Sequence, residues 1–365
     1  MPRGRTLATM QALELGGCGH VELFAGGGGL ALGLKSAGFD HSVLIERDHH
    51  SCATLRANAG LGAPLGETTV VEADVRTVAW ADSPVELLSG GAPCQPFSLG
   101  GKHRAQGDDR NLFPEVMRAV RTLKPRAVLM ENVKGLTRAS FRPYFDYLIR
   151  QLRHPGVAPR ADEDWAEHDA RLSAIEARGD EPYYDVQYQV LNAADYGVAQ
   201  SRDRVFIVAV PHGSGFGFPT PTHRRPMHSQ KAGEAGADGR CDWLTVRDAL
   251  RGLPEPSADV RRDALDHWLI PGARTYTGHS GSQLDRPSKT IKAGVHGVPG
   301  GENMFVLDDG GIRYYTLREA ARIQSFPDDY RFPVSRSEAM RQIGNAVPCR
   351  LAKAVGRSVW QALHE

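Results

Sequence analysis

The run Gly90-Gly91-Ala92-Pro93-Cys94-Gln95-Pro96-Phe97-Ser98 places one cysteine between prolines, after an apolar stretch that reads as a strand. A structural cysteine would sit inside an apolar element, whereas Cys94 falls in a strand-end loop. Such a loop supplies the partial exposure and hydrogen-bonding surroundings that a nucleophilic thiolate needs. Standing alone, Cys94 would read as structural. Further upstream, Phe24-Ala25-Gly26-Gly27-Gly28-Gly29 follows another short apolar run and precedes the spaced leucines 30, 32 and 34. Glycine lets a backbone pass close to a ligand, and turns of this kind serve NAD, FAD and S-adenosylmethionine alike. Glu46, about 20 residues on, ends the next strand, where a carboxylate can accept two ribose hydroxyls. Asp74 ends the third and could accept from an adenine amino group.

These residues need a scaffold that brings strand ends together. Strand-like runs at His20–Phe24, Val43–Glu46, Thr69–Glu72, Val85–Ser89 and Ala127–Met130 alternate with helical stretches. That rhythm predicts a doubly wound, mostly parallel α/β sheet with its active groups at the carboxyl ends of the strands. Val186–Leu191 and Val205–Val210 follow without a helix between them and predict a hairpin closing one sheet edge. Residues 160–185 carry nine Asp/Glu against three Lys/Arg and no strong apolar stripe, which reads as a solvated helical excursion. From Pro211 to about Tyr315 the texture turns to Gly, Pro, His and Arg, a candidate second domain. Thr316–Phe326 looks helical, and the stretch from Gly344 reads as a final amphipathic helix.

The 365 residues are 41% hydrophobic and 24% charged, ordinary for a globular chain of one or two domains. A net charge of +1 means that a nucleic-acid partner would have to meet local rather than global positive charge. Residues 211–292 hold twelve Lys/Arg and nine Asp/Glu, a local +3. Five scattered cysteines without a C-x-x-C pair indicate neither a disulfide framework nor a metal site. With no apolar export or membrane segment evident, the expectation is a cytoplasmic protein.

In order along the chain, FAGGGG, GGAPCQPFS, Glu131-Asn132-Val133, Gln200-Ser201-Arg202-Asp203-Arg204, Arg286-Pro287-Ser288-Lys289-Thr290-Ile291 and Gly344-Asn345-Ala346-Val347-Pro348 resemble the motifs of the DNA (cytosine-5)-methyltransferase family. The sequence departs from the pattern at Glu22, where aspartate is common, and at Arg47, where an aromatic often stacks on adenine. The resemblance implies the S-adenosylmethionine-dependent methyltransferase fold with a smaller, irregular target-recognition domain. It divides the chain into a catalytic domain (1–211), a target-recognition domain (212–316), a hinge (317–343) and a C-terminal helix returning to the catalytic domain (344–365).

By the same resemblance, Cys94 adds to carbon 6 of a flipped cytosine in duplex DNA, Glu131 binds the ring's N3 and amine, and Arg204 holds its O2 with Arg202 in support. Phe24, Ala25, Gly26, Gly28, Gly29, Glu46, Arg47, Asp74, Val75, Pro93, Leu112, Asn345 and Ala346 are then the expected S-adenosylmethionine contacts. Gln95, Ser98, Arg104 and Thr290 are the expected DNA contacts, with His223–Arg225 and Tyr276–Gln283 as candidate base readers. A monomer paired with a cognate restriction endonuclease completes the expectation. An RNA-directed member of the superfamily would share these motifs, but the long segment between Gln200 and Thr290 favours duplex DNA. A nicotinamide oxidoreductase would explain the Gly turn and Glu46, and would leave Pro-Cys-Gln, Glu-Asn-Val and QxRxR without a use.

Overall fold

The computed structural model describes residues 13, 15, 19–40, 42–93, 111–226, 238–256, 258, 266–275, 280–293 and 303–365. Seven strands, β1 (His20–Leu23), β2 (Ser42–Glu46), β3 (Thr69–Glu72), β4 (Leu87–Gly90), β5 (Ala127–Val133), β6 (Tyr184–Asn192) and β7 (Asp203–Pro211), form one sheet in the order β3-β2-β1-β4-β5-β7-β6. The first five run parallel, while β7 is antiparallel to both its neighbours. The expected hairpin therefore closes one edge. Strand order reverses between β1 and β4, and in open α/β sheets the crevice at such a reversal is where ligands bind. β5 runs three residues beyond its apolar stretch, carrying Glu131, Asn132 and Val133 into the ladder.

Helices cover both faces, which is why β1 and β4 are buried along their whole length. On one face, α3 (Phe113–Leu123) and α4 (Arg142–Arg153) pack Val116, Val120, Phe145 and Leu148 against Val21, Leu88 and Val128. On the other, α1 (Gly29–Lys35) and α9 (Cys349–His364) pack Leu30, Leu34, Leu351 and Val355 over Leu87, Leu129 and Val208. α1 and α9 approach so closely that a Cβ at Gly33 would collide with Ala352.

α2 (His49–Ala57) lies beside β3, and its Leu55 shares a core cluster with Ala25, Leu44 and residues of α7 (Leu317–Ile323) and α8 (Arg336–Asn345). The acidic excursion contains α5 (Trp165–Ala177), opened by a capping box between Asp164 and Glu167. It is less solvated than its composition suggests. Leu172 and His168 are buried, Tyr147 meets His168 Nδ1 at 2.9 Å, and α4 pairs Arg150 with Asp169 at 2.7 Å and Arg153 with Glu176 at 3.1 Å.

Beyond the sheet lie a two-stranded ladder of β8 (His223–Arg224) and β9 (Cys241–Asp242), the short α6 (Val246–Leu250), and a sheet of β10 (Ser282–Gln283), β11 (Met304–Val306) and β12 (Ile312–Tyr314). The expected single helix from Gly344 is divided. α8 ends at Asn345 and α9 begins at Cys349, with Ala346 extended at ψ 147 and Pro348 as the cap. Proline disfavours helical geometry in the residue before it and suits a helix start, so Pro348 sets the break. Among the described residues no helix is long and apolar enough to cross a membrane.

Candidate active site

A cavity of about 670 Å³ opens at the carboxyl ends of β1, β2, β4 and β5. Phe24, Ala25, Gly26, Gly27 and Gly29 form one wall, where Phe24 takes φ 58. Gly28 is not among the lining residues. Its backbone takes φ 81 beneath Tyr330, whose hydroxyl donates to Gly27 O at 2.8 Å. Glu46 lines the cavity with its carboxylate fixed by three backbone donors: Gly26 N at 2.8 Å, Arg47 N at 2.8 Å and Asp48 N at 2.7 Å. Two carboxylate oxygens accept about four hydrogen bonds, which leaves acceptor capacity for a ligand.

Arg47 also lines the cavity, with a largely exposed side chain 3.5 Å from Asp74. Asp74 and Val75 do not line it. Arg76 does, and its guanidinium engages Asp74 through Nε at 3.0 Å and Nη2 at 2.5 Å, holding that carboxyl well below the usual range.

At the other end, Glu131 on β5 and Arg204 on β7 occupy diagonal positions across the antiparallel pair, since Arg204 opposes Val133 and Phe206 opposes Glu131. Arg204 Nε lies 2.7 Å from Glu131 Oε1. Burial pushes the Glu131 carboxyl above its ordinary pKa, opposed by the charges of Arg204 and Arg202. The backbone of Gly91 lies over this carboxyl, and a Cβ there would come within 3.2 Å of Glu131 Oε2. Asn132 Nδ2 donates to Ala92 O at 3.0 Å, tying the end of β5 to the loop after β4. Pro93 and Leu112 line the cavity, whereas Cys94, Gln95, Ser98 and Arg104 lie outside the described residues.

Only the second arginine of QxRxR reaches the cavity. Arg202 is 1% exposed and donates to Ile291 O at 3.1 Å and Gly344 O at 2.7 Å, and desolvation, reinforced by Arg204, lowers its pKa to about 9. Gln200 accepts from Ile291 N at 3.0 Å and donates to Gln324 Oε1 at 2.8 Å, and Gln324 in turn donates to Ile343 O at 2.6 Å. Thr290 donates to Ser201 O at 3.0 Å. Gln200 and Arg202 therefore clamp residues 288–291 and the end of α8 to the start of β7. Asn345 and Ala346 line the cavity at the end of α8.

The profile of C-5 cytosine-specific DNA methylases matches residues 19–157 and 167–361. The chain belongs to that family. It is 32% identical over 351 residues to the Type II methyltransferase M.NgoMIV of Neisseria gonorrhoeae, covering 94% of this chain and 97% of the relative. It is 34% identical over 366 residues to M.PspPI of Psychrobacter sp. strain TA137, covering 94% and 79%. Among solved structures, a putative DNA modification methyltransferase encoded within an E. coli prophage superposes with TM-score 0.61 at 23% identity, covering 95% of this chain and 99% of that one. Spodoptera frugiperda DNMT2 superposes at 0.60 and 18%, covering 93% and 99%.

This cytosine-5 DNA methylase therefore uses S-adenosylmethionine, and the cavity fits such a ligand in its acceptor at Glu46 and its glycine wall. The lining residues Arg76, Arg341 and Gln342 stand outside the motifs, while Gly91 and Asn132 lie within them but had no role assigned. Helical spacing would have pointed to Gln342, which stands three and four residues before Asn345 and Ala346. Candidate base readers are partly described. Arg224 lies 3.5 Å from Asp238, and His223 packs against Gly197, while Tyr276–His279 lie outside the described residues.

Proposed function

We propose that the cavity binds S-adenosylmethionine along its Gly26–Glu46 wall and a flipped cytosine between Glu131, Arg204 and the loop leading to Cys94. The cofactor supplies a methyl group on a sulfonium. Cys94 Sγ adds to carbon 6, which moves the C5=C6 electrons to carbon 5 and makes it a nucleophile. Glu131, whose burial favours the protonated carboxyl, donates to N3 as negative charge grows on the ring, and Arg204 donates to O2. After methyl transfer, removal of the C5 proton expels Cys94 and restores the ring. Extruding the base costs a few kcal/mol.

The observation that carries this reading is the buried Glu131–Arg204 pair beneath Gly91, three residues before Cys94. Asp74 and Val75 then act through Arg76 and the loop around it rather than by direct contact. Arg202, Gln200 and Thr290 position the site. Residues 1–211 form the catalytic domain in this reading, 212–316 recognise the target, 317–343 form the hinge and 344–365 return to the catalytic domain. The protein acts as a cytoplasmic monomer on duplex DNA, protecting it from a cognate endonuclease as in a Type II system. Bisulfite sequencing of plasmid DNA from cells expressing the protein tests this. Protected cytosines in one short recurrent sequence are expected, and fully converted DNA would overturn it.

A further inference from the structure

Gln342 sits on α8, 2% exposed, and lines the cavity. Neither Oε1 nor Nε2 has a hydrogen-bond partner among the described residues. The buried glutamines Gln200 and Gln324 are each bonded through both donor and acceptor. An unmatched buried amide costs stability, so its retention calls for a ligand that supplies the missing partners. The amide stands against the glycine wall: a Cβ at Gly27 would meet Gln342 Cβ at 3.0 Å and Oε1 at 3.5 Å.

The chemistry of the amide narrows what it can hold. Nε2 donates and Oε1 accepts, so its complement must carry an acceptor and a donor side by side. The neighbouring cation cannot take the anionic half, because Arg341 is held by Asp48 at 2.7 Å and Glu338 at 2.6 Å. Glu46 can only accept when ionised and suits hydroxyls. In S-adenosylmethionine, the α-amino acid end carries a carboxylate and an ammonium on one carbon.

We propose that Gln342 binds the amino-acid end of the cofactor, Nε2 donating to its carboxylate and Oε1 accepting from its ammonium. The proposal rests on the reading that this cavity is the cofactor site.

Calorimetry with S-adenosylhomocysteine and 5′-methylthioadenosine, which lacks the amino-acid end, tests it on the free protein. Gln342→Met should weaken S-adenosylhomocysteine by about 10- to 100-fold, the loss expected for hydrogen bonds to charged groups. It should leave methylthioadenosine affinity unchanged. The melting temperature of the free protein should stay level or rise, because the variant removes an unpaired amide, whereas a structural glutamine would give a fall. Gln342→Glu, which keeps the acceptor and loses the donor, should show the same selectivity. Unchanged S-adenosylhomocysteine affinity in Gln342→Met, with Glu46→Ala weakened, would overturn the proposal. So would an equal loss for both ligands. If Glu46→Ala and Gln342→Met both bound as wild type does, the cavity reading itself would fall.

Discussion

Replacing Glu22 with glutamine should stabilise this protein progressively as pH rises. Glu22 is 1% exposed, with Oε2 3.4 Å from Ser89 Oγ and 3.9 Å from His20 Nε2. His20 in turn bridges the hydroxyls of Ser42 and Ser89 at 2.8 and 2.7 Å. Burial raises the Glu22 pKa from 4.5 to about 8 and lowers that of His20 from 6.5 to about 3. At neutral pH the fold thus holds a protonated acid beside a neutral imidazole, beneath the glycine turn. Because the folded pKa of Glu22 is raised, its contribution is whole below pH 4.5 and is lost as pH climbs towards 8.

Each pH unit in that window is worth about 1.4 kcal/mol per proton. Glu22→Gln keeps a neutral group there, so its advantage over wild type should grow by about 1.4 kcal/mol per unit and approach something on the order of 5 kcal/mol. His20 is common to both proteins and drops out of the difference. Urea unfolding of both proteins, in unit steps between about pH 5 and pH 8, measures it. A difference that stayed flat with pH would mean that burial does not hold Glu22 protonated in the fold.

Arg204→Ala should cost about 3–5 kcal/mol by leaving Glu131 buried without its partner. Since that carboxyl's raised pKa loses its main opposing charge, the destabilisation should deepen as pH rises above the ordinary glutamate range, as unfolding at two pH values would reveal. Glu131→Ala, which removes the donor to N3, should lower the methylation rate by about 10²–10³, the scale of one lost transition-state donor, as single-turnover methylation of a duplex would show. Arg202→Met should orphan the carbonyls of Ile291 and Gly344 and cost about 2–4 kcal/mol in urea unfolding. Gly91→Ala should slow turnover with little loss of stability, because the new methyl presses on Glu131 Oε2 and not on the core; a rate equal to wild type would count against the placement of that carboxyl.

β1, β2, β4 and β5 were legible because strands buried on both faces read as apolar runs, and β3, half-exposed at the sheet edge, was legible from its β-branched run Thr69-Val70-Val71. The extension of β5 was not, since Glu131 and Asn132 are polar residues carried by pairing with β7. α8 escaped notice because its burial depends on contacts with α7 and the glycine turn more than on its own apolar pattern. α5 read as solvated because one leucine and one histidine suffice to dock it once α4 supplies arginines. Within the site, spacing marked the Gly turn and Glu46 as candidates for a nucleotide-type ligand, and the resemblance narrowed that ligand to S-adenosylmethionine. The resemblance set Arg204 on the ring and Arg202 in support; Arg202 precedes β7 and turns away from the cavity to hold Ile291 O and Gly344 O. The unmatched amide of Gln342 is a property of packing, and no residue pattern announces it.

In the proposed reaction, Cys94 attacks carbon 6 of cytosine within the site built by Glu131 and Arg204. Incubating the protein and S-adenosylmethionine with duplex DNA carrying 5-fluorocytosine in its recognition sequence tests it directly, because fluorine cannot leave carbon 5 as a proton does. A denaturation-resistant protein–DNA adduct, mapped by peptide mass to Cys94 and absent in Cys94→Ala, is predicted. Methylation of ordinary DNA by Cys94→Ala at the wild-type rate would rule out Cys94 as the nucleophile.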